Sequence, residues 1–130
     1  MEYLVMTRKH DLQWISSSRE DLKEFPDDVR EEIGYALYLA QCGEKSPDAK
    51  PMKGFLGAGV LEVVENFNTD TYRAIYTIRF KGIVYVLHAF QKKSKSGIAT
   101  PKKEIDLINK RLKAAEEHYK ALMKRRRENG

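Results

Sequence analysis

One cysteine, three histidines and one tryptophan among 130 residues leave several kinds of chemistry without material. Cys42 stands alone, so no internal disulfide can close and a reducing compartment is expected. It falls at the end of an amphipathic helical stretch, where an inert thiol is the usual case. His10, His88 and His118 lie far apart, and neither a His-Glu-x-x-His nor a Cys-x-x-Cys spacing occurs, so no metal is expected. Gly54, Gly57 and Gly59 lack the strand-before, helix-after setting of a phosphate-binding loop, and no cofactor is expected. No apolar run reaches about 18 residues, so no membrane-spanning helix is expected. The opening Met1–Arg8 lacks a basic stretch followed by a long apolar core, and the reading is cytoplasmic.

What is present is charge. Charged residues make up 33% of the chain, with 24 Lys and Arg against 19 Asp and Glu, a net charge of +5. Basic side chains near phosphates release counterions, so polyanions are the favoured partners. The length suits a single domain over 1–130, with 1–10 a possible extension and 124–130 a basic tail. A chain this short has little to spare for a deep enclosed cavity, which places the chemistry on an open face or shallow groove.

Hydrophobic periodicity orders the elements. Leu12 and Trp14 alternate with polar neighbours as in a short strand over 11–15, which Ser16, Ser17 and Ser18 stop. Residues 18–24 form a helical turn or two. A second helix starts at Pro26 with Asp27 and Asp28 at its positive end, runs through Val29, Ile33, Ala36, Leu37 and Ala40, and stops at Gly43. Residues 44–59, with two prolines and three glycines, read as a loop. Segments 60–67, 72–80 and 83–90 read as three strands of an antiparallel meander, turning at 68–71 and at Lys81-Gly82. In the middle strand Tyr72, Ala74, Tyr76, Ile78 and Phe80 make a core face. Arg73, Ile75, Thr77 and Arg79 make a half-polar face, the candidate working surface. A basic loop follows, then a helix capped by Thr100 with Pro101 at its first position. Its apolar seam is Ile105, Ile108, Leu112, Ala115, Tyr119 and Leu122, and Lys124–Arg127 form a frayed end.

This inventory allows a metal-free basic site. Cleaving RNA requires a deprotonated 2′-hydroxyl, a stabilised phosphate and a protonated leaving oxygen. Arg73, Arg79, Lys53, His88, Lys92 and Lys93 are the residue types available for it near one sheet. Each also has a plain structural reading. The arginines fit exposed sheet positions, His88 fits a hydrogen-bonded core histidine, and the lysines of 92–103 fit a solvated charge run.

Several strings resemble phage-related HigB-like toxins of the RelE/ParE superfamily. They are Pro51-Met52-Lys53-Gly54 with Gly57–Val63, Thr71-Tyr72-Arg73-Ala74-Ile75-Tyr76, Val86–Ser94, and Thr100–Ile105. The likeness runs from about Trp14 to Tyr119. It implies an α+β fold in which N-terminal helices and a C-terminal helix pack on a small twisted, mainly antiparallel sheet. It further implies a ribosome-dependent endoribonuclease that arrests translation and is neutralised by a helix-turn-helix antitoxin. By the same resemblance Arg73 is the phosphate-binding arginine, Lys53 the loop lysine, and Lys92 and Lys93 the basic pair after the last strand. The expected catalytic set is then Arg73, Lys53, Lys93 and His88, with Arg79, Lys92, Lys95 and Lys102 binding RNA, and the general acid and base are unassigned. The competing reading is a non-catalytic RNA- or ribosome-binding module that blocks translation by occupancy.

Overall fold

The computed structural model of the chain describes residues 9–55, 59–92 and 100–130. In chain order the elements are strand β1 (Asp11–Trp14), helices α1 (Ser18–Lys23) and α2 (Asp27–Gln41), strands β2 (Ala49–Pro51), β3 (Val60–Phe67), β4 (Asp70–Thr77) and β5 (Ile83–Lys92), and helix α3 (Lys102–Asn129). They form one sheet in the order β1-β5-β4-β3-β2. Its ladders are antiparallel except that β1 runs parallel to β5, with Asp11 opposite Ile83 and Trp14 opposite Val86. The architecture is the expected α+β one, with α1 and α2 on one face of the sheet and α3 on the other. Among the described residues no helix is long and apolar enough to cross a membrane.

The β3–β4 hairpin sets the register of everything around the site. Phe67 pairs with Asp70, so the connection is the two residues Asn68 and Thr69, both left-handed at φ 50° and 70°. That is a type I′ turn, whose twist matches the strands it joins. It places Asn66 opposite Thr71 and Val64 opposite Arg73.

Tyr72, Ala74 and Tyr76 pack with Val29, Ile33 and Leu37 of α2 in a first core. The other face of β4 departs from the sequence reading, because it is not open along its length. Ile75 and Thr77 are 0% exposed, and Ile75 lies in a second core with Ile108 and Ala115 of α3. The apolar seam of α3 supplies the cause, since Ile105, Ile108, Leu112, Ala115, Tyr119 and Leu122 all face this side of the sheet. A helix with such a stripe has to bury it, and the sheet face is where it goes.

The middle strand also ends sooner than the periodicity predicts, at Thr77 and not at Phe80. Thr77 Oγ1 donates to Gly59 O (2.9 Å) and accepts from the Arg79 amide (3.1 Å), closing a local turn. Beyond it the two-residue alternation no longer holds. Ile78, expected in the core, is 52% exposed, and Phe80 joins the second core beside Tyr85 and Tyr119. Gly59 makes this turn possible. Its φ is +68°, and a Cβ there would lie 3.3 Å from the Arg79 backbone.

Within the stretch expected to be loop, Ala49–Pro51 forms an edge strand on β3. Met52 N donates to Val60 O (2.9 Å), so Pro51 occupies a non-hydrogen-bonded position where its missing N–H costs nothing. The cap of α3 is Pro101, whose carbonyl receives the amides of Glu104 and Ile105, and not Thr100. The basic end stays helical to Asn129.

Candidate nucleic-acid interface

Where α3 stops covering the sheet, a groove of about 510 Å³ opens, lined among others by Lys50, Lys53, Glu62, Thr71, Arg73 and Thr100. Residues paired across a ladder share a face. Arg73 is therefore flanked by Val64 on β3 and Phe90 on β5, with Thr71 and Lys92 one step nearer the turn and His88 one step toward the core. Glu62 lies diagonally across, and its Oε2 accepts from Arg73 Nη1 at 3.0 Å. The Arg73 side chain is 6% exposed, so its guanidinium is held on the groove floor. Lys50, Lys53 and Arg73 set three cations against the Glu62 carboxylate, a positive concavity suited to a phosphate chain. Thr71 Oγ1 donates to Asn66 Oδ1 at 3.1 Å and orders the polar wall.

His88 is buried and fully engaged. Its Nε2 is 2.6 Å from Glu104 Oε1 and its Nδ1 is 3.2 Å from Arg111 Nη1. A guanidinium only donates, so the Nδ1 lone pair faces Arg111 and the Nε2–H faces Glu104. Arg111 Nη1 also donates to Leu87 O (3.0 Å) and Nη2 to Ser17 Oγ (3.1 Å). Leu87 sits where the β4–β5 register slips and beyond the end of β1, so its carbonyl has no register partner on either side. Arg111 fills that vacancy and ties α3 to β5 and to the entry of α1. Burial lowers its pKa from the usual arginine value, while Asp21 and Glu104 push it back up. The network fixes the start of α3, and with it the groove wall at Thr100 and Ile105.

The structure thus brings Lys53, Arg73, His88 and Lys92 to one face, with Lys53 exposed at the rim and His88 beneath it. Lys102 lies in the first turn of α3, exposed and paired with Asp106 at 2.9 Å. Arg79 is not gathered with them. It lies past the far end of β4, 5.6 Å over the Phe80 ring, and lines a separate cavity. Lys93 and Lys95 lie outside the described residues. The sequence reading passed over Lys50, Glu62, Glu104 and Arg111. Glu62 was within reach, since counting back from the turn at Asn68 and Thr69 puts it on the Arg73 face. Arg111 was marked too, as a charge beside Leu112 and three residues after Ile108 on an apolar stripe.

On the other face, Glu32, Asp48 and Glu65 bring carboxylate oxygens within 4.8 Å of one another, among the described residues the donor set that suits a hard cation. Burial, a hydrogen bond with Asp48 and the charges of Asp48 and Glu32 push Glu65 up to about 7. Near neutral pH the Glu65 carboxyl is therefore partly protonated.

The chain belongs to the family described as Phage derived protein Gp49-like (DUF891), whose model matches residues 20–113. That agrees with the phage-related, RelE-like resemblance of the sequence strings. No curated protein matches it. Among solved structures, the chain is similar to a mutant of the E. coli toxin RelE in the free state, with 17% identity, 62% of this chain and 81% of that chain covered, and a TM-score of 0.47. It is also similar to the toxin–antitoxin complex RelBE2 from Mycobacterium tuberculosis, with 18% identity, 68% and 98% of the two chains covered, and a TM-score of 0.47.

Proposed function

We propose that this protein is the toxin of a type II toxin–antitoxin system and a ribosome-dependent messenger-RNA endoribonuclease. The observation that carries the reading is the open groove of about 510 Å³ that collects Lys50, Lys53 and Arg73. In the proposed reaction the 2′-oxygen bonds to phosphorus and the bond from phosphorus to the 5′-oxygen breaks. The hydroxyl proton ends on the departing oxygen. Arg73, positioned by Glu62, faces the phosphate as negative charge builds, and Lys53 approaches from the rim. His88 is a positioning residue in this scheme, because both its ring nitrogens hold α3 in place. Lys92 and Lys102 meet neighbouring phosphates. The groove is open, so the ribosome supplies the alignment of the RNA strand that a deep pocket would otherwise give. A cognate helix-turn-helix antitoxin is the natural neutralising partner.

The test maps cleavage of a messenger RNA with and without translating ribosomes, for the wild type and for Lys53→Ala and Arg73→Lys proteins of verified fold. Expected are cuts only with ribosomes, reduced about 100-fold or more in either variant. Translation blocked with no cuts anywhere would replace this reading with occupancy of the ribosome. Cuts in free RNA would remove the ribosome from it.

A further inference from the structure

Removing the proton of a 2′-hydroxyl needs an acceptor beside the phosphate, and lysine and arginine side chains only donate. Among the described residues lining the groove, Glu62 is the one carboxylate, and no histidine or tyrosine stands with it. The rest of the lining is cationic, amide, hydroxyl or apolar. His88 lies beneath, with both ring nitrogens taken up by Glu104 and Arg111. Glu62 is held at one oxygen and open at the other. Its Oε2 accepts from Arg73 Nη1 at 3.0 Å, whereas Oε1 has no hydrogen-bond partner among the described residues and is not sealed from solvent. The side chain as a whole is 12% exposed, on the groove side of β3.

We propose that Glu62 is the general base of the cleavage, a catalytic role added to its hold on Arg73. The inference rests on the endoribonuclease reading and deepens it. In a ribonucleotide the 2′-oxygen and the phosphate sit on neighbouring ring carbons, about 3 Å from oxygen to phosphorus in a reactive arrangement. A phosphate facing Arg73 thus brings its 2′-hydroxyl within reach of the carboxylate bonded to the same guanidinium. Glu62 Oε1 takes the hydroxyl proton as the 2′-oxygen bonds to phosphorus, and the bond from phosphorus to the 5′-oxygen breaks. The departing oxygen takes a proton from solvent water and Glu62 returns its own to solvent, so the net transfer runs from hydroxyl to departing oxygen. The products are a 2′,3′-cyclic phosphate and a 5′-hydroxyl end.

Single-turnover cleavage of a messenger RNA on programmed ribosomes, with ribosome binding measured separately, compares the wild type with Glu62→Gln and Glu62→Asp. Glutamine keeps an acceptor for Arg73 but takes up no proton, and aspartate keeps a carboxylate one methylene short. Expected is a loss of about 100-fold or more in Glu62→Gln with ribosome binding unchanged, and a smaller loss in Glu62→Asp. The wild-type rate should rise from the acid end of its pH profile as one proton leaves, and the glutamine variant should lack that rise. Cleavage by Glu62→Gln equal to or better than that by Glu62→Asp overturns the inference and leaves Glu62 as a positioning residue for Arg73. So does a cleavage loss matched by an equal loss of ribosome binding. If glutamine prevents folding, the aspartate profile decides: an acid limb that moves with the new carboxylate supports the base, and one that stays overturns it. A wild type that cuts nothing on ribosomes overturns the endoribonuclease reading itself, whereas a cutting wild type with an equally active Glu62→Gln overturns this inference alone.

Discussion

Replacing Arg111 with methionine isolates what the buried polar network contributes. Methionine keeps most of the apolar stem and removes the guanidinium, which serves Leu87 O, His88 Nδ1 and Ser17 Oγ at 3.0, 3.2 and 3.1 Å. Leu87 and His88 are buried, so each acceptor left without its donor costs about 1–3 kcal/mol. Ser17 is exposed and water replaces its partner. Against this loss stands relief from burying the guanidinium, the same cost that lowers the arginine's pKa. The net expectation is a loss of about 2–3 kcal/mol, or a melting temperature lower by roughly 6–12 °C for a domain of this size. Thermal and urea unfolding followed by circular dichroism measure it. Arg111→Lys, whose single nitrogen carries three donors but cannot occupy both the Nη1 and Nη2 positions, should fall between the two. Hydrogen exchange should quicken first in the N-terminal half of α3. If Arg111→Met unfolds within about 0.5 kcal/mol of the wild type, α3 is held by its apolar seam alone and the network argument fails.

Glu65→Gln should change how stability depends on pH. The folded protein raises this carboxyl from 4.5 to about 7, favouring its protonated form, so its stabilising contribution is full below pH 4.5 and is lost as pH rises through 7. The shift sets a ceiling of about 3 kcal/mol. Because Glu65 is only partly buried, a gain of about 1 kcal/mol for the variant at pH 8 is the realistic figure, with little difference at pH 4. Urea unfolding at the two pH values decides it, and no gain at pH 8 would count against the buried carboxyl. Thr69→Gly should stabilise the β3–β4 hairpin by about 0.5–1 kcal/mol, since a β-branched residue at φ 70° is strained where glycine is at ease. A melting temperature that falls would show that threonine makes a compensating contact.

The elements whose signal is local were legible in the sequence. The spacing of Val29, Ile33, Leu37 and Ala40 marked α2, and the seam of α3 picked out the apolar residues that face the sheet while missing the buried Arg111 among them. What was not legible depends on which surfaces meet. The Arg73 face has the alternation of a half-exposed sheet, and only the arrival of α3 divides it into a buried half and a groove. Ile78 and Phe80 continue the period of β4 on paper, but the hydrogen bonds of Thr77 with Gly59 and Arg79 end the strand first. The parallel pairing of β1 and the gathering of Glu32, Asp48 and Glu65 join segments too distant for any spacing rule. For the candidate site, residue types offered Arg73, Arg79, Lys53, His88, Lys92 and Lys93 alike and the family resemblance singled out Arg73 and Lys53, which line one groove, whereas Arg79 was placed by a periodicity that had already stopped.

The length of α3 sets a distance between two charged regions. From Ile105 beside the groove to Arg125 near the far end is about 30 Å along a helix that rises 1.5 Å per residue. The last side chain of the second core on this helix is Leu122, and Arg126, one turn further on, lines a surface cleft with Lys9, His10, Asp11 and Gly82, so the basic end lies beside the start of β1 and the β4–β5 connection. A partner cannot satisfy both regions with one short segment. Under the proposed function that partner is a large object with phosphates spread over the span, or two strands held at a fixed separation. Because the helix is already ordered to Asn129, a far contact in that reading adds to the near one with little further loss of entropy, in the manner of a bivalent ligand on a stiff linker.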